Sequence, residues 1–224
     1  MNSSDITYIV VALIVGYLFG SFPSAYLAGR LRKGIDIRGV GSRNMGAMNV
    51  FYEVGHIEAA LVTLADLGKG VAAILLVRWL SGNPHPLSSP FDLLTGLTGA
   101  AAVIGHIFPV FLKFHGGKGA ATAIGILIFL MPWAVPFLAA IFFIAVFITR
   151  NPTFSYSLLL IVFPLVAGFI YVDHYDQPLA LVFYSIGFGV FLGLQYIPRV
   201  KEMHGRTGGD WRRVFKRRSL KERY

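Results

Sequence analysis

The sequence predicts an all-α integral membrane protein, a polytopic bundle of about seven transmembrane helices. Of its 224 residues, 55% are hydrophobic and only 14% are charged, and the mean hydropathy is +0.65. Soluble domains carry roughly 25% charged residues, so this composition excludes a soluble globule, a disordered chain and a coiled coil. The second observation is a series of apolar stretches, each long enough to approach the ~20 residues that cross a bilayer.

The apolar stretches give the predicted elements in chain order. They are residues 6–29, 57–80, 93–112, 119–149, 151–172 and 177–198. The first is too long for a cleaved signal peptide, and its positive charges follow the apolar run, so we expect it to stay in the protein. Small residues along these stretches, such as Gly16 and Gly20, predict close helix packing.

The stretch 119–149 decides the number of crossings. As one helix it would be ~46 Å long, well beyond the ~30 Å hydrocarbon core. Pro132 and Pro136 interrupt its centre and predict a turn between two short helices. The chain then has seven crossings, with the N-terminus outside, the C-terminus cytoplasmic, and outer connections at 81–92 and 173–176. Every Lys and Arg except Lys69 and Arg78 lies on the inner side, as the positive-inside rule favours.

We expect two regions, a transmembrane domain over 1–204 and a basic cytoplasmic tail over 205–224. The tail carries many Lys and Arg, and Trp211, Val214 and Phe215 are spaced to share a helical face. This pattern predicts an interfacial helix on the anionic lipids of the inner leaflet. A net charge of +9 suggests nucleic acid in a soluble protein, but no nucleic-acid-binding module is present and we expect no such partner. The absence of cysteine excludes a thiol nucleophile and Cys-ligated metal.

The first polar motif is a loop on the predicted inner side. It contains Ser42, Arg43, Asn44, Gly46 and Asn49. Such a loop can direct backbone N–H groups, amide donors and positive charge at one anion. The alternative is a flexible basic loop in which Ser42 caps a helix.

The second motif places Asp66 and Lys69 inside an apolar stretch. Ionisable groups at membrane depth cost several kcal/mol unless they are paired or face water, which makes them candidates for function. Because they are three residues apart on one helical face, they are expected to pair.

The third motif runs from His106 to a glycine-rich segment in which Gly116, Gly117 and Gly119 surround Lys118. At the start of a helix this arrangement favours a phosphate. It is not a Walker A loop, because Gly119 stands where the magnesium-binding Ser or Thr is required. Lys118 with His106 suits an anionic substrate, and the alternative for His106 is a hydrogen-bonded structural histidine.

These motifs resemble those of the bacterial acyl-phosphate-dependent glycerol-3-phosphate acyltransferases. The resemblance rests on segments 20–26, 41–49, 66–70 and 105–122, whose order and spacing agree over roughly the first 125 residues. It implies transfer of a fatty acyl group from acyl phosphate to the 1-hydroxyl of glycerol 3-phosphate, which gives lysophosphatidic acid for phospholipid synthesis. It also implies the bacterial cytoplasmic membrane, an active site facing the cytoplasm, no metal and no cofactor.

Roles carried over from the family fall on two groups of residues. The expected catalytic residues are Ser42, Asn44 and Lys118. The expected substrate- and phosphate-binding residues are Arg43, Gly46, Asn49, Asp66, Lys69, His106, Gly116, Gly117 and Gly119.

The chain departs from the family pattern near its end and at one earlier position. Tyr52 stands where the first motif has arginine, and Gly193 and Tyr196 occupy the His and Asn positions of the last motif. In the family these groups help to hold glycerol phosphate. Three readings therefore stay open: the glycerol-3-phosphate acyltransferase, a paralogue that acylates another acceptor, and a non-catalytic transporter or binder of phosphorylated lipid precursors.

Overall fold

The computed structural model describes residues 3–82, 91–172 and 178–215, and the regular secondary structure in these ranges is helical. The α-helices are α1 (Ser3–Gly20), α2 (Ser24–Lys33), α3 (Ala47–Glu53), α4 (His56–Leu80), α5 (Leu93–Ile107), α6 (Ala120–Leu130), α7 (Val135–Thr149), α8 (Pro152–Val166), α9 (Ala180–Arg206) and α10 (Trp211–Phe215). Short 3₁₀ turns lie at Ile37–Gly39, Val110–Leu112 and Pro132–Ala134, and a π-helical segment, Ala167–Val172, follows α8.

Within the described ranges, five helical segments are long and apolar enough to cross a membrane. They are Asp5–Lys33, His56–Leu80, Leu93–Leu112, Pro132–Thr149 and Ala180–Arg206, and two shorter apolar helices are Ala120–Leu130 and Ile161–Val172. The all-helical membrane class is therefore confirmed, while seven crossings and the orientation of the termini stay predictions. The predicted connection 173–176, most of 81–92 and the tail beyond Phe215 lie outside the described residues.

The predicted break in the stretch 119–149 is confirmed. Helix α6 ends at Leu130, the turn Pro132–Ala134 follows, and α7 begins at Val135. Pro132 has no N–H to continue the α6 hydrogen-bond ladder, whereas Pro136 lies in the first turn of α7, where that N–H is not needed.

A second break, in the stretch 6–29, was not expected. Helix α1 ends at Gly20 and α2 begins at Ser24, with Pro23 between them. Proline disfavours helical geometry in the residue before it, so Phe22 leaves the helix and its carbonyl becomes available to other groups. The turn brings Ser21 and Ser24 into the interior, where both are buried.

The chain divides into two compact units, Met1–Leu130 and Met131–Tyr224. In the first unit, α1 packs on α4 and α5, and α4 packs on α5 and α6. A Cβ atom on Gly20 would lie 2.7 Å from Ala102 Cα, and one on Gly16 would lie 2.9 Å from Ala101 Cβ. The predicted close packing through small residues is thus confirmed between α1 and α5, because a side chain at either glycine would push the helices apart.

In the second unit, α8 packs on both α7 and α9. Asn151 caps α8 and donates from Nδ2 to the Val214 carbonyl at 3.1 Å. This bond draws Val214 into the interior, while Trp211 and Phe215 stay about half exposed and stack on each other. The three tail residues lie on helix α10, and the interior position of Val214 leaves Trp211 and Phe215 as its exposed aromatic groups. The separation into 1–204 and 205–224 and the interfacial role of the tail stay predictions.

Candidate active site

The first predicted loop, residues 37–46, is held in shape by Asn49. The Asn49 side chain is only 3% exposed. Its Oδ1 accepts from the Ser42 N–H at 2.9 Å, and its Nδ2 donates to the Ile37 and Val40 carbonyls at 3.0 and 3.2 Å. Since both ends of the carboxamide are used inside the protein, the geometry supports a structural role for Asn49 beneath the loop.

The residues above Asn49 point outward. Ser42 and Arg43 are exposed and Asn44 is half-buried. Arg43 has a φ of 57°, in the left-handed region. Gly46 precedes α3, and a Cβ on it would lie 2.9 Å from Asn44 Nδ2. The loop thus presents a hydroxyl, a guanidinium and an amide together, and Ser42 does not cap α3.

The glycine-rich segment, residues 116–119, is called the phosphate loop below. It immediately precedes α6, as predicted. The Gly116 N–H donates to the Ile107 carbonyl at 3.0 Å, and the Gly117 N–H donates to the His106 carbonyl at 3.1 Å. These two N–H groups satisfy carbonyls at the C-terminal end of α5, which otherwise lack partners. The two glycines thus fasten the loop to α5, and the half-buried Lys118 supplies its positive charge.

The phosphate loop and the first loop lie against each other. A Cβ on Gly117 would be 2.6 Å from the Met45 carbonyl oxygen. Arg38 adds a second link, because its guanidinium donates to the Leu112 carbonyl at 3.3 Å. Two motifs that are about 70 residues apart in the sequence therefore form one surface in the first unit.

The anchor of this second link is Asp36. Arg38 donates to Asp36 through Nε at 3.0 Å and through a terminal nitrogen at 2.7 Å, and its backbone N–H also donates to the carboxylate. These hydrogen bonds lower the pKa of Asp36 to about 2, and bonding to Asp36 raises the pKa of Arg38. The bidentate pair fixes the start of the first loop against Leu112.

Beneath both loops lies a buried polar cluster on α2, α4, α5 and α6. Asp66 Oδ1 accepts from Ser24 Oγ at 2.7 Å and from Lys69 Nζ at 2.9 Å, which confirms the predicted pair. Lys69 Nζ also donates to the Phe22 carbonyl at 3.3 Å. His106 Nδ1 lies 3.6 Å from Asp66 Oδ1 and 3.2 Å from Thr122 Oγ1.

A small pocket, with room for about one water molecule, lies beside this cluster. Its lining residues are Gly20, Ser21, Phe22, Pro23, Ser24, Met45, Asp66, Lys69, His106 and Pro109. Ser21 Oγ is fully buried and has no hydrogen-bond partner among the described residues. The pocket therefore joins the polar cluster to Met45 of the first loop.

All twelve predicted site residues lie in the first unit, on the two contacting loops or in the buried polar cluster. Sequence reasoning missed the roles of Ser24 and Thr122, which are fully or almost fully buried partners of Asp66 and His106. The signal for Ser24 was its place after Pro23, at a helix start. Gly193 and Tyr196, which replace the family's last motif, lie on α9 of the second unit.

A family model described as glycerol-3-phosphate acyltransferase matches residues 10–204. The chain belongs to this family. The match covers the phosphate loop, the polar cluster and the altered last motif alike. The predicted resemblance is therefore confirmed.

Curated relatives agree with the glycerol-3-phosphate acyltransferase family. Glycerol-3-phosphate acyltransferase 2 of Dehalococcoides mccartyi is 44% identical over 224 residues, which is 100% of each chain. The glycerol-3-phosphate acyltransferase of Bacillus subtilis is 38% identical over 167 residues, covering 75% of this chain and 81% of the relative.

A solved structure of the same family shares the fold. The crystal structure of PlsY, an integral membrane glycerol 3-phosphate acyltransferase, in its glycerol 3-phosphate form has a TM-score of 0.74 and 28% sequence identity. The alignment covers 90% of this chain and 94% of that one. A second structure of PlsY, in the lysophosphatidic acid form, matches with a TM-score of 0.71.

Proposed function

We propose that this membrane acyltransferase moves a fatty acyl group from acyl phosphate to the 1-hydroxyl of glycerol 3-phosphate and releases lysophosphatidic acid and inorganic phosphate. Family membership supports the acceptor and the product, since the related PlsY structures are a glycerol 3-phosphate form and a lysophosphatidic acid form. The donor is proposed from the resemblance of the motifs and from the chemistry of the site.

The observation that carries the proposal is the contact between the two loops at Met45 and Gly117. Because Ser42, Arg43 and Asn44 precede Met45 and Lys118 follows Gly117, this contact supports a single surface shared by the two loops. The reaction must bring two phosphate-bearing molecules together, so positive charge and amide donors on both sides offset their repulsion.

The chemistry needs orientation more than activation. Acyl phosphate is a mixed anhydride, and the acceptor hydroxyl oxygen forms a bond to its acyl carbon while the bond from that carbon to the phosphate oxygen breaks. We propose that the hydroxyl proton passes to a phosphate oxygen, so that hydrogen phosphate leaves. Lys118 balances the charge of the departing phosphate, and Ser42 and Asn44 orient the reacting groups.

We further propose that the chain crosses the bacterial inner membrane seven times and that the site faces the cytoplasm. The support is the distribution of Lys and Arg, which avoids the expected outer connections. The exposed Trp211 and Phe215 beside Arg212 and Arg213 support contact of the tail with anionic lipid.

The altered last motif affects how glycerol phosphate, the proposed acceptor, is held. Gly193 and Tyr196 offer neither the imidazole nor the carboxamide of the family pattern. Arg43, which is exposed beside Ser42, is proposed to supply the positive charge for glycerol phosphate instead.

The test uses purified full-length protein in lipid vesicles with labelled acyl phosphate and a panel of acceptors. We expect donor consumption and labelled lysophosphatidic acid only with glycerol 3-phosphate. Turnover only with another phosphorylated or hydroxylated acceptor would support the paralogue that acylates that acceptor. No turnover with any acceptor of the panel would support a non-catalytic transporter or binder of phosphorylated lipid precursors.

A further inference from the structure

His106 contacts the phosphate loop with both its backbone and its ring. Its carbonyl accepts the Gly117 N–H at 3.1 Å. Its ring lies so close to Gly117 that a Cβ there would overlap Nε2. Whatever fixes the His106 ring therefore also fixes the backbone next to Lys118.

The other edge of the ring connects two further helices. Nδ1 is 3.2 Å from Thr122 Oγ1 on α6 and 3.6 Å from Asp66 Oδ1 on α4. Helix α6 begins directly after the phosphate loop, so the Nδ1 edge ties the loop's own helix to α4 and α5.

Asp66 is in turn held from two sides. Ser24 Oγ donates to it at 2.7 Å from α2, and Lys69 Nζ donates at 2.9 Å from the next turn of α4. His106 is 7% exposed, Lys69 is 8% exposed and Asp66 is 1% exposed. Their polar atoms are turned toward one another, as buried ionisable groups require.

We propose that His106 is a positioning residue for acyl transfer, held through Nδ1 by Asp66 and Thr122 and setting the phosphate loop that carries Lys118. The inference rests on the proposed function and assigns the Asp66–Lys69 pair to the support of the loop. A displacement of about 1 Å in a group that aligns reactants can cost about a hundredfold in rate. The cluster therefore acts on turnover without touching the reacting atoms.

The test compares His106→Asn with His106→Gln. The asparagine amide reaches the position of Nδ1, and the glutamine amide reaches that of Nε2. We expect kcat/KM for glycerol 3-phosphate to fall by less than about tenfold for His106→Asn and by about a hundredfold for His106→Gln. Thr98→Val is the control, since Thr98 is a buried residue of α5 whose hydroxyl donates to the Leu94 carbonyl of its own helix. It is expected to keep activity within twofold.

A second readout does not depend on turnover. Amide hydrogen exchange at Gly116 and Gly117 is expected to accelerate in His106→Gln and to stay near the wild-type rate in His106→Asn. Thr122→Val, a milder change, is expected to accelerate the same amides.

The outcomes separate the two proposals. If the variants change amide exchange as expected but the wild-type protein turns over no acyl phosphate, the proposed function is refuted and the positioning of the loop is still supported. If the wild-type protein is active and His106→Gln matches or exceeds His106→Asn in both kcat/KM and protection from amide exchange, the positioning proposal is overturned. The role of the ring would then depend on Nε2 and not on the contacts of Nδ1 with Asp66 and Thr122.

Discussion

The two units bury different kinds of polar groups. The first unit buries four ionisable side chains, Asp66, Lys69, Arg78 and His106, besides uncharged polar ones such as Asn49. Among the described residues of the second unit, the buried polar side chains are uncharged. They are Asn151, Ser155, Ser185 and Thr207.

The partners of these groups also differ. In the first unit several of these bonds join different helices, as Ser24 does with Asp66 and as Arg78 does with Thr95 at 3.0 Å. In the second unit Ser185 donates to the Leu181 carbonyl of its own helix, and Asn151 reaches a separate segment by donating to the Val214 carbonyl. Ionisable groups at membrane depth cost several kcal/mol unless they are paired or face water, which makes them candidates for function. This difference supports the proposed placement of the chemistry in the first unit.

The largest expected contrast comes from removing one lysine in each unit. We expect Lys118→Ala to reduce kcat/KM by at least about a hundredfold, because it removes the proposed charge-assisted contact to phosphate. Lys201→Ala removes the same charge from the exposed surface of α9 and is expected to change activity less than twofold. Equal small losses in a steady-state assay would show that the site is misplaced.

A second contrast adds one methyl group in each unit. Gly117→Ala places a Cβ against the His106 ring and 2.6 Å from the Met45 carbonyl, so both loops must shift. We expect activity to fall by ten- to a hundredfold. A Cβ on Gly187 of α9 would have no neighbour within 4 Å among the described residues, so Gly187→Ala is expected to leave activity unchanged. A fully active Gly117→Ala variant would argue that contact between the loops does not matter.

The buried Asp66–Lys69 pair and Ser185 are expected to differ in how much they contribute to stability. Asp66→Leu leaves Lys69 buried without its carboxylate and is expected to cost about 3–5 kcal/mol of unfolding free energy. Adding Lys69→Met is expected to recover part of that loss, since no unpaired charge remains. Ser185→Ala in the second unit is expected to cost about 1 kcal/mol. Denaturant unfolding in one detergent measures all three, and a double variant less stable than Asp66→Leu would contradict the account.

The smallest expected effect is a dependence of the stability of the fold on pH. The pKa of Asp36 is lowered from 3.8 to about 2 by bonding to Arg38. The ionised carboxylate thus stabilises the fold above about pH 4, and this contribution is lost as the pH falls from about 4 to about 2. We expect Arg38→Gln to be less stable than wild type at pH 5 and the gap to narrow toward pH 2, as followed by thermal unfolding. A gap that is constant with pH would exclude the ion pair as its cause.

Local signals in the sequence predicted much of the first unit. The pairing of Asp66 and Lys69 follows from a spacing of three on one helix, and the break before α7 follows from two prolines. The sequence also predicted the glycine-rich segment before α6, because small residues and a lysine at a helix start are a local pattern.

What the sequence did not predict depends on contacts between distant segments. The approach of His106 to Asp66 depends on how α4 and α5 pack, and the inward turn of Asn49 depends on the fold of the preceding loop. Both residues were expected to bind phosphate, and spacing alone does not distinguish such a role from the support of a loop. The turn at Pro23 was a local signal, but the absence of charge across it made the stretch resemble one helix.

The most direct measurement is a high-resolution structure of this protein, in lipid, with an unreactive acyl phosphate analogue bound. The account predicts a phosphate group between the Ser42–Asn44 segment and the phosphate loop, within hydrogen-bond distance of Lys118, with His106 underneath and out of contact with it. Phosphate bound away from Lys118, or ligated directly by His106, would contradict it.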